Sequence, residues 1–549
     1  MSQPALDNGI RVPPPPRRLL FLLSVLLFRL FTGAAGAVST GNWHMLVPNA
    51  GVSAMHMTLT HMDTVIMYDR TDYGPSQLRL PNGNCRRDPR DLALKVDCYA
   101  HAIEYDISSN RVSPLEIQTD SWCSSGATLA DGTFVSTGGY NDGSKAVRHF
   151  TPCAPGGTCD LNEDYPQMGA ARWYASNQIL PDNSMIVVGG RASFSYEFVP
   201  SKGDPVPFPF LRQTNVPGVE NNLYPFLHLS TDGNLFVFAN KMSILLDYKS
   251  NKVIREFPDL PGGGRNYPSS GSSVMLPLSS ANNFERVEVL ICGGAPDGSF
   301  QQASLQMKAL QTCGRMVITD PNPSWAMETM STPRVMGDML ILPTGEVIII
   351  NGGLTGTAGW QNVDNPNFAP VLYKPDAEPG ARFQELAATT IPRLYHSSAN
   401  VLPDGRILVA GSNPNVGYTF IGVKFPTELS MQAYHPYYLD YAYDNVRPVV
   451  TYLSKREIGY GAVFTVEFKV GSTPTDVQFR AYYPPLTTHT YSQNQRQLVL
   501  SASPLQKLGT HYYSRVLGPP SSIVAPSGYY LLHVLNAGIP SGGLWVRFA

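Results

Sequence analysis

A thiol, two phenols and two imidazoles stand out in this chain: Cys123, Tyr174, the adjacent pair Tyr395-His396, and His489. These residue types ligate metals and hold or pass protons. Three of them share one frame. Cys123 lies eight residues before Asp131, Tyr174 eight before Asp182, and His396 eight before Asp404, and each acid opens a turn between two apolar runs. Tyr224 and Met336 hold the same place before Asp232 and Thr344. An arginine stands two residues upstream in Arg172-x-Tyr174, Arg265-x-Tyr267, Arg334-x-Met336 and Arg393-x-Tyr395.

The elements that must position these residues are hairpins. Around Pro403-Asp404-Gly405, an apolar strand, a tight turn and a β-branched strand closed by Gly411 follow one another. Similar units occupy residues 129–139, 180–190, 230–240, 287–294 and 342–353, at spacings of roughly 50 to 60, and a weaker one at 59–67 makes seven. That is the kelch-like period of a β-propeller with four strands to a blade. No sustained helical periodicity competes with it. The expected fold is all-β: a seven-bladed kelch-type propeller over residues 38–445, then an immunoglobulin-like β-sandwich over 446–549, where short alternating strands at 461–470, 477–483 and 528–535 replace the repeat.

Equivalent positions in a propeller sit at one height and radius about the axis. If the strands that follow them are innermost, Cys123, Tyr174, Tyr395 and His396 converge at one mouth of the channel, with Cys123 and Tyr174 in neighbouring blades. Adjacent strand residues face opposite ways, so Tyr395 and His396 can share a target only at a strand end or a bulge. His489 sits in a Pro/Thr loop of the sandwich, residues 484–490.

Composition sets the setting. Of 549 residues 43% are hydrophobic and only 15% charged, with 48 Gly and 47 Pro, which suits a compact β protein with many turns. A net charge of −2 gives no basic field for nucleic acid. Arg17-Arg18, an apolar run over 19–31 and a small-residue stretch read as a signal peptide, cleaved after Ala37, with an uncleaved anchor as the alternative. Six of seven cysteines pair as sequence neighbours, 85–98, 153–159 and 292–313, one guess among 15 connectivities. Cys123 is left over as a buried bystander, an intermolecular linker or a reactive group. The only Asn-x-Ser/Thr triplet is Asn322-Pro323-Ser324, which proline disqualifies.

Cys123, Tyr174, the Arg-Leu-Tyr-His-Ser-Ser stretch from Arg393 and the Thr-His-Thr around His489 together resemble the copper-radical oxidases. Within that group they are most similar to the glyoxal oxidase branch of the galactose oxidase family, including its plant members. The resemblance covers residues 40–549. It implies a Cu(II) ion held by Tyr174, Tyr395, His396 and His489, donors that suit a tetragonal N,O field. It implies a thioether between Cys123 and Tyr174 that makes the tyrosyl radical easier to form, and Tyr395 as axial ligand and proton acceptor. The implied reaction oxidises a small aldehyde to its carboxylic acid and reduces O2 to hydrogen peroxide. The expected protein is a monomer, secreted to the extracellular space or cell wall, with no membrane association after signal cleavage.

Two departures matter. There is no room for an N-terminal carbohydrate-binding sandwich, and the segment after Gly189-Gly190, where galactose oxidase carries a Trp that stacks on the thioether, reads Arg191-Ala192-Ser193-Phe194. Both favour an aldehyde oxidase over a hexose oxidase. Tyr224, Tyr267 and Arg334 are the candidate pocket wall. The alternatives are a primary-alcohol or galactose-type oxidase, and an inactive kelch module in which Cys123 and the tyrosines merely pack. A zinc hydrolase would need an open cluster of three histidines, or of two histidines and a carboxylate, and none has suitable spacing. Met55-His56-Met57 with His61-Met62 reads as strand packing, and the glycines at 353–359 open no phosphate loop.

Overall fold

The structure, a computed structural model, describes residues 39–549 apart from 154–156, 158 and 165–166. The expected signal peptide lies outside the described residues. Thr40–Ala549 forms one compact unit. It is almost entirely β: a five-residue α-helix at Pro209–Gln213 and short 3-10 turns are the only helices among the described residues. None of them is long and apolar enough to cross a membrane.

Seven four-stranded antiparallel sets succeed one another among the described residues. Their first strands are His56–Leu59, Ser125–Thr128, Ala175–Ile179, Phe226–Leu229, Ser272–Met275, Asp338–Ile341 and Ser397–Val401. These strands are buried almost throughout, whereas an outer strand such as Lys252–Phe257 is mostly exposed. Burial on both faces explains the mix of small, hydroxyl and β-branched residues that lie innermost. The turns follow the Asp-Gly chemistry of the sequence. In one of them Gly405 takes φ 87°, and the Arg406 N–H donates to Asp404 Oδ1 at 3.0 Å.

The last set has only three strands of its own. Asn42–Val47, from the start of the chain, supplies the fourth by pairing antiparallel with Met431–His435. The repeat pattern gives this segment no role; the open edge of the final sheet does.

The sandwich strands match the alternating segments closely: Val463–Lys469, Gln478–Tyr483 and Gly528–Asn536. One sheet holds Val449–Leu453, Val463–Lys469, His511–Leu517 and Gln506–Leu508. The other is joined by Leu278–Ser279, which pairs parallel to Arg496–Leu500 and ties the two regions together. Between Tyr483 and Arg496 the chain leaves the sandwich as a hairpin, Leu486–Thr488 and Tyr491–Gln493. That hairpin pairs with His56–Thr58 and contacts the innermost strand of all seven sets, so it runs along the axis.

The polar side chains of this hairpin have a structural job. Innermost strands present unpaired backbone edges toward the axis, and buried N–H and C=O groups need partners. Gln493 Oε1 accepts from Asn177 N at 2.8 Å, Asn494 Oδ1 from Ile179 N at 2.7 Å and Gln495 Oε1 from Ile341 N at 3.0 Å. Tyr491 Oη both donates to Leu227 O and accepts from Leu227 N. Amides fill the channel because amides can both donate and accept.

All three disulfides join the expected neighbours, Cys85–Cys98, Cys153–Cys159 and Cys292–Cys313, and Cys123 is free and buried.

Candidate functional site

The shared frame is a backbone device. All five residues that lie eight before a turn take left-handed φ: Cys123 53°, Tyr174 64°, Tyr224 50°, Met336 60° and His396 62°. Ser270, φ 45°, does so at the equivalent place in the fifth set. Each precedes its innermost strand by one or two residues. This conformation costs a non-glycine residue about 1 kcal/mol or more. It persists here because its neighbours pin it. Tyr174 N donates to Cys123 O at 3.0 Å, Tyr224 N to Tyr174 O at 2.9 Å, and Met336 N to Ser270 O at 3.0 Å. Those bonds link one set to the next around the channel mouth.

The recurrent arginines brace the same corner from behind. Arg172 donates to Gly189 O at 2.8 Å, Arg265 to Gly293 O at 2.7 Å and Arg393 to Gly411 O at 2.8 Å. Arg334 donates to Asn351 O and, at 2.9 Å, to Ala369 O. Arg334 is therefore buried against carbonyls and is not pocket wall, contrary to the sequence expectation. Tyr224 is likewise buried, its hydroxyl donating to Ser124 O at 2.9 Å and its ring lying 5.2 Å from that of His489. Of the three wall candidates, Tyr267 is the one that borders the cleft lined by Tyr174.

The five candidate residues do come together. His489, φ 45°, stands at the tip of the axial hairpin, with Nε2 3.1 Å from Cys123 Sγ. The ligand atoms of Cys123, His396 and His489 lie within 4.8 Å of one another. Tyr395 stacks on His396 with ring centroids 3.8 Å apart, and the left-handed turn at His396 is what lets consecutive side chains share a target. Tyr174 Oη donates to Tyr267 Oη at 3.2 Å, and Tyr267 and Tyr395 hydroxyls share a hydrogen bond at 2.9 Å. Cys123 and Tyr174 pack in one buried cluster with Trp122 and Tyr224.

Electrostatically the site is a set of neutral groups. Burial pushes the Cys123 thiol and the Tyr174 and Tyr395 phenols well up, with nearby thiol and phenol groups adding to the shift of the two phenols. Burial holds His396 and His489 well below the usual imidazole range. A bound cation reverses this logic by stabilising phenolates and taking neutral imidazoles. Both ring nitrogens of His396 are buried without a hydrogen-bond partner, and unpaired buried polar atoms are costly. His489 is oriented for the task, since Thr488 Oγ1 bonds Nδ1 at 2.7 Å and leaves Nε2 facing the cluster. Two imidazoles and two phenols around a thiol therefore fit copper by donor type and by orphaned atoms.

A cleft of about 240 Å³ reaches the site, lined by Tyr174, Tyr267, Leu223, Phe300 and, across its rim, Arg191 paired with Glu220 at 2.6 Å. Sequence reasoning missed the indoles. Trp173 lies 4.8 Å from the Tyr174 ring and Trp122 4.9 Å from Trp173, while Arg70 covers Trp122 at 3.9 Å. The signal was there, because each of these two Trp residues directly precedes a site residue. His56 stacks on Tyr68 at 4.2 Å and takes no place in the cluster, in keeping with packing.

Comparison with known proteins places this geometry. The glyoxal oxidase N-terminus family model matches residues 55–438, and the galactose oxidase-like early set domain model matches residues 447–548. The aldehyde oxidase GLOX of Vitis pseudoreticulata is 46% identical over 512 residues, 92% of this chain and 97% of its own length. The aldehyde oxidase GLOX1 of Arabidopsis thaliana is 43% identical over 523 residues, 92% of this chain and 84% of its own. A fungal alcohol oxidase solved in complex with copper superposes with a TM-score of 0.70 at 17% identity, over 93% of this chain and 100% of that one, and speaks for the fold alone. With one family model spanning most of the chain and curated relatives aligned along nearly all of it, the chain belongs to the glyoxal oxidase family of oxidoreductases.

Proposed function

We propose that the protein is a secreted copper-radical oxidase that converts small aldehydes to carboxylic acids, aldehyde plus O2 plus water giving acid plus hydrogen peroxide. The observation that carries the reading is the convergence of Cys123, His396 and His489 ligand atoms within 4.8 Å beside Tyr174 and Tyr395, each hydrogen-bonded to Tyr267. His396, His489, Tyr174 and Tyr395 would hold the metal, and Cys123 would be bonded through sulfur to the Tyr174 ring. Copper, when bound, supplies an open position for substrate and accepts one of the two electrons.

The chain supplies the rest. Tyr174, with Cys123 bonded to its ring, would take the second electron together with a proton as it accepts the hydrogen of the substrate carbon. Tyr395, held as a phenolate when copper is bound, would take the hydroxyl proton of the hydrated aldehyde at Oη, and its buried setting would keep water from competing for that position. The cleft bordered by Tyr174 admits a small substrate. The names of the curated relatives favour aldehydes over primary alcohols. Three disulfides suit an oxidising compartment and favour secretion.

The test is peptide mass mapping of protein secreted with copper, after reduction and alkylation. The Cys123 and Tyr174 peptides should appear joined and two hydrogens lighter, and a peroxide assay should rank aldehydes above primary alcohols. A freely alkylated Cys123 in copper-loaded protein overturns the radical mechanism.

A further inference from the structure

The Tyr174 ring has company from an unexpected direction. Residues 191–194 carry no Trp to lie on it; Arg191 stands at the cleft rim instead, its guanidinium 5.2 Å from the Trp173 ring. The ring whose centroid comes nearest Tyr174 belongs to Tyr267, at 4.4 Å and tilted by 32°. The same residue joins the two phenols, accepting from Tyr174 Oη at 3.2 Å and sharing a hydrogen bond with Tyr395 Oη at 2.9 Å. It borders the cleft alongside Tyr174.

Tyr267 is held firmly. Arg265 anchors its upstream side to Gly293 O, and Asn266 Nδ2 donates to Tyr224 O at 2.9 Å. Downstream, Pro268 O accepts from Ala358 N at 2.9 Å and from Thr357 Oγ1 at 2.7 Å. Groups from three neighbouring sets thus fix the chain on either side of this ring. A ring carried on so constrained a stretch of chain loses little entropy on making its contacts, which is the requirement for holding a reactive group in one geometry.

We propose that Tyr267 is a positioning residue of the radical centre: its ring covers one face of Tyr174, and its hydroxyl sets the spacing between the Tyr174 and Tyr395 oxygens. This rests on the reading of Tyr174 and Cys123 as a radical cofactor. Cover and hydrogen bonding are separable. Tyr267→Phe keeps the ring and removes both hydrogen bonds; Tyr267→Leu removes both features.

The experiment uses full-length, copper-loaded protein oxidised with ferricyanide, following the decay of the radical's optical and electron paramagnetic resonance signals, with kcat and KM measured in parallel. Tyr267→Leu should shorten the radical lifetime about tenfold or more, as expected when a covering contact and two hydrogen bonds are lost. Tyr267→Phe should keep the lifetime and KM close to the parent, shift the radical's optical band, and lower kcat about tenfold. Peptide mapping of the same samples separates the two levels. A joined Cys123–Tyr174 peptide with unchanged decay and spectrum in Tyr267→Leu overturns the role of Tyr267 alone. Absence of the joined peptide in the parent protein overturns the radical cofactor and this role with it. Tyr267→Phe preserves ring volume, so it reports even if the leucine variant fails to fold.

Discussion

Tyr174 and Cys123 are bound to each other through their backbones: the Tyr174 N–H donates to the Cys123 carbonyl at 3.0 Å, and both residues take left-handed φ in consecutive sheets. The pairing of thiol and phenol is thus built into the propeller repeat. Each residue reaches the axis because its backbone turns the same way at the same height. Chemistry at this site is a matter of which residue type the repeat places at a position it already constructs.

Cys123→Ser tests what the sulfur does. Serine fits the space and cannot form the thioether, so the Tyr174 peptide should appear alone in mass mapping. Peroxide production should fall at least about a hundredfold, the scale of losing a group that acts in the transition state. Copper content should stay near the parent value, because the proposed ligands remain.

Thr488→Val removes the hydroxyl that holds His489 Nδ1 at 2.7 Å while keeping the shape. Outer partners of metal-bound histidines commonly contribute about 10- to 100-fold in affinity. Competition titration with a copper chelator should show a loss in that range. An unchanged affinity would mean that the axial hairpin alone orients the ring.

Arg334→Met separates bracing from substrate binding. The substitution strips Asn351 O and Ala369 O of a buried charged donor, at a cost of about 2–4 kcal/mol. Urea unfolding should show the loss, with KM for aldehydes unchanged in folded protein. A raised KM with normal stability would return Arg334 to the pocket.

Ser270 holds the repeated left-handed corner with φ 45°, and its buried hydroxyl has no hydrogen-bond partner. Ser270→Gly relieves both, and the greater freedom of glycine in the unfolded chain offsets part of the gain. The expected result is a net stabilisation of about 1 kcal/mol in urea unfolding. Met336 N still finds the residue 270 carbonyl, so the site should be undisturbed.

Asp338 opens the innermost strand of the sixth set, and burial pushes its carboxyl up to about 8, with Asn351 Nδ2 bonding Oδ2 and opposing the shift. The folded state therefore keeps this proton at pH values where the unfolded chain has lost it. Its contribution to stability is complete below the ordinary carboxylate range and is lost as pH rises toward 8, at up to about 1.4 kcal/mol per pH unit. Asp338→Asn lacks that slope. Unfolding measured at pH 5 and pH 7.5 should show the variant gaining on the parent at the higher pH.

Much of this protein was decided locally. The Asp-Gly and Gly-Gly turns set the hairpins, the eight-residue offset set the equivalence of Cys123, Tyr174 and His396, and cysteine neighbours set the disulfides, because each depends on a few adjacent residues. Tertiary structure decided the rest. Only a closed ring turns equal offsets into one cluster, and only the open edge of the last sheet gives Asn42–Val47 its place. The recurrent Arg334 looked like a ligand-facing residue; the carbonyls it satisfies come from the next turns of its own sheet, beyond any local pattern. Tyr267 carries the same Arg-x-Tyr signature as Tyr174, yet it becomes a partner of that ring because two sheets far apart in sequence meet at the axis, where contacts follow geometry and chain order no longer matters.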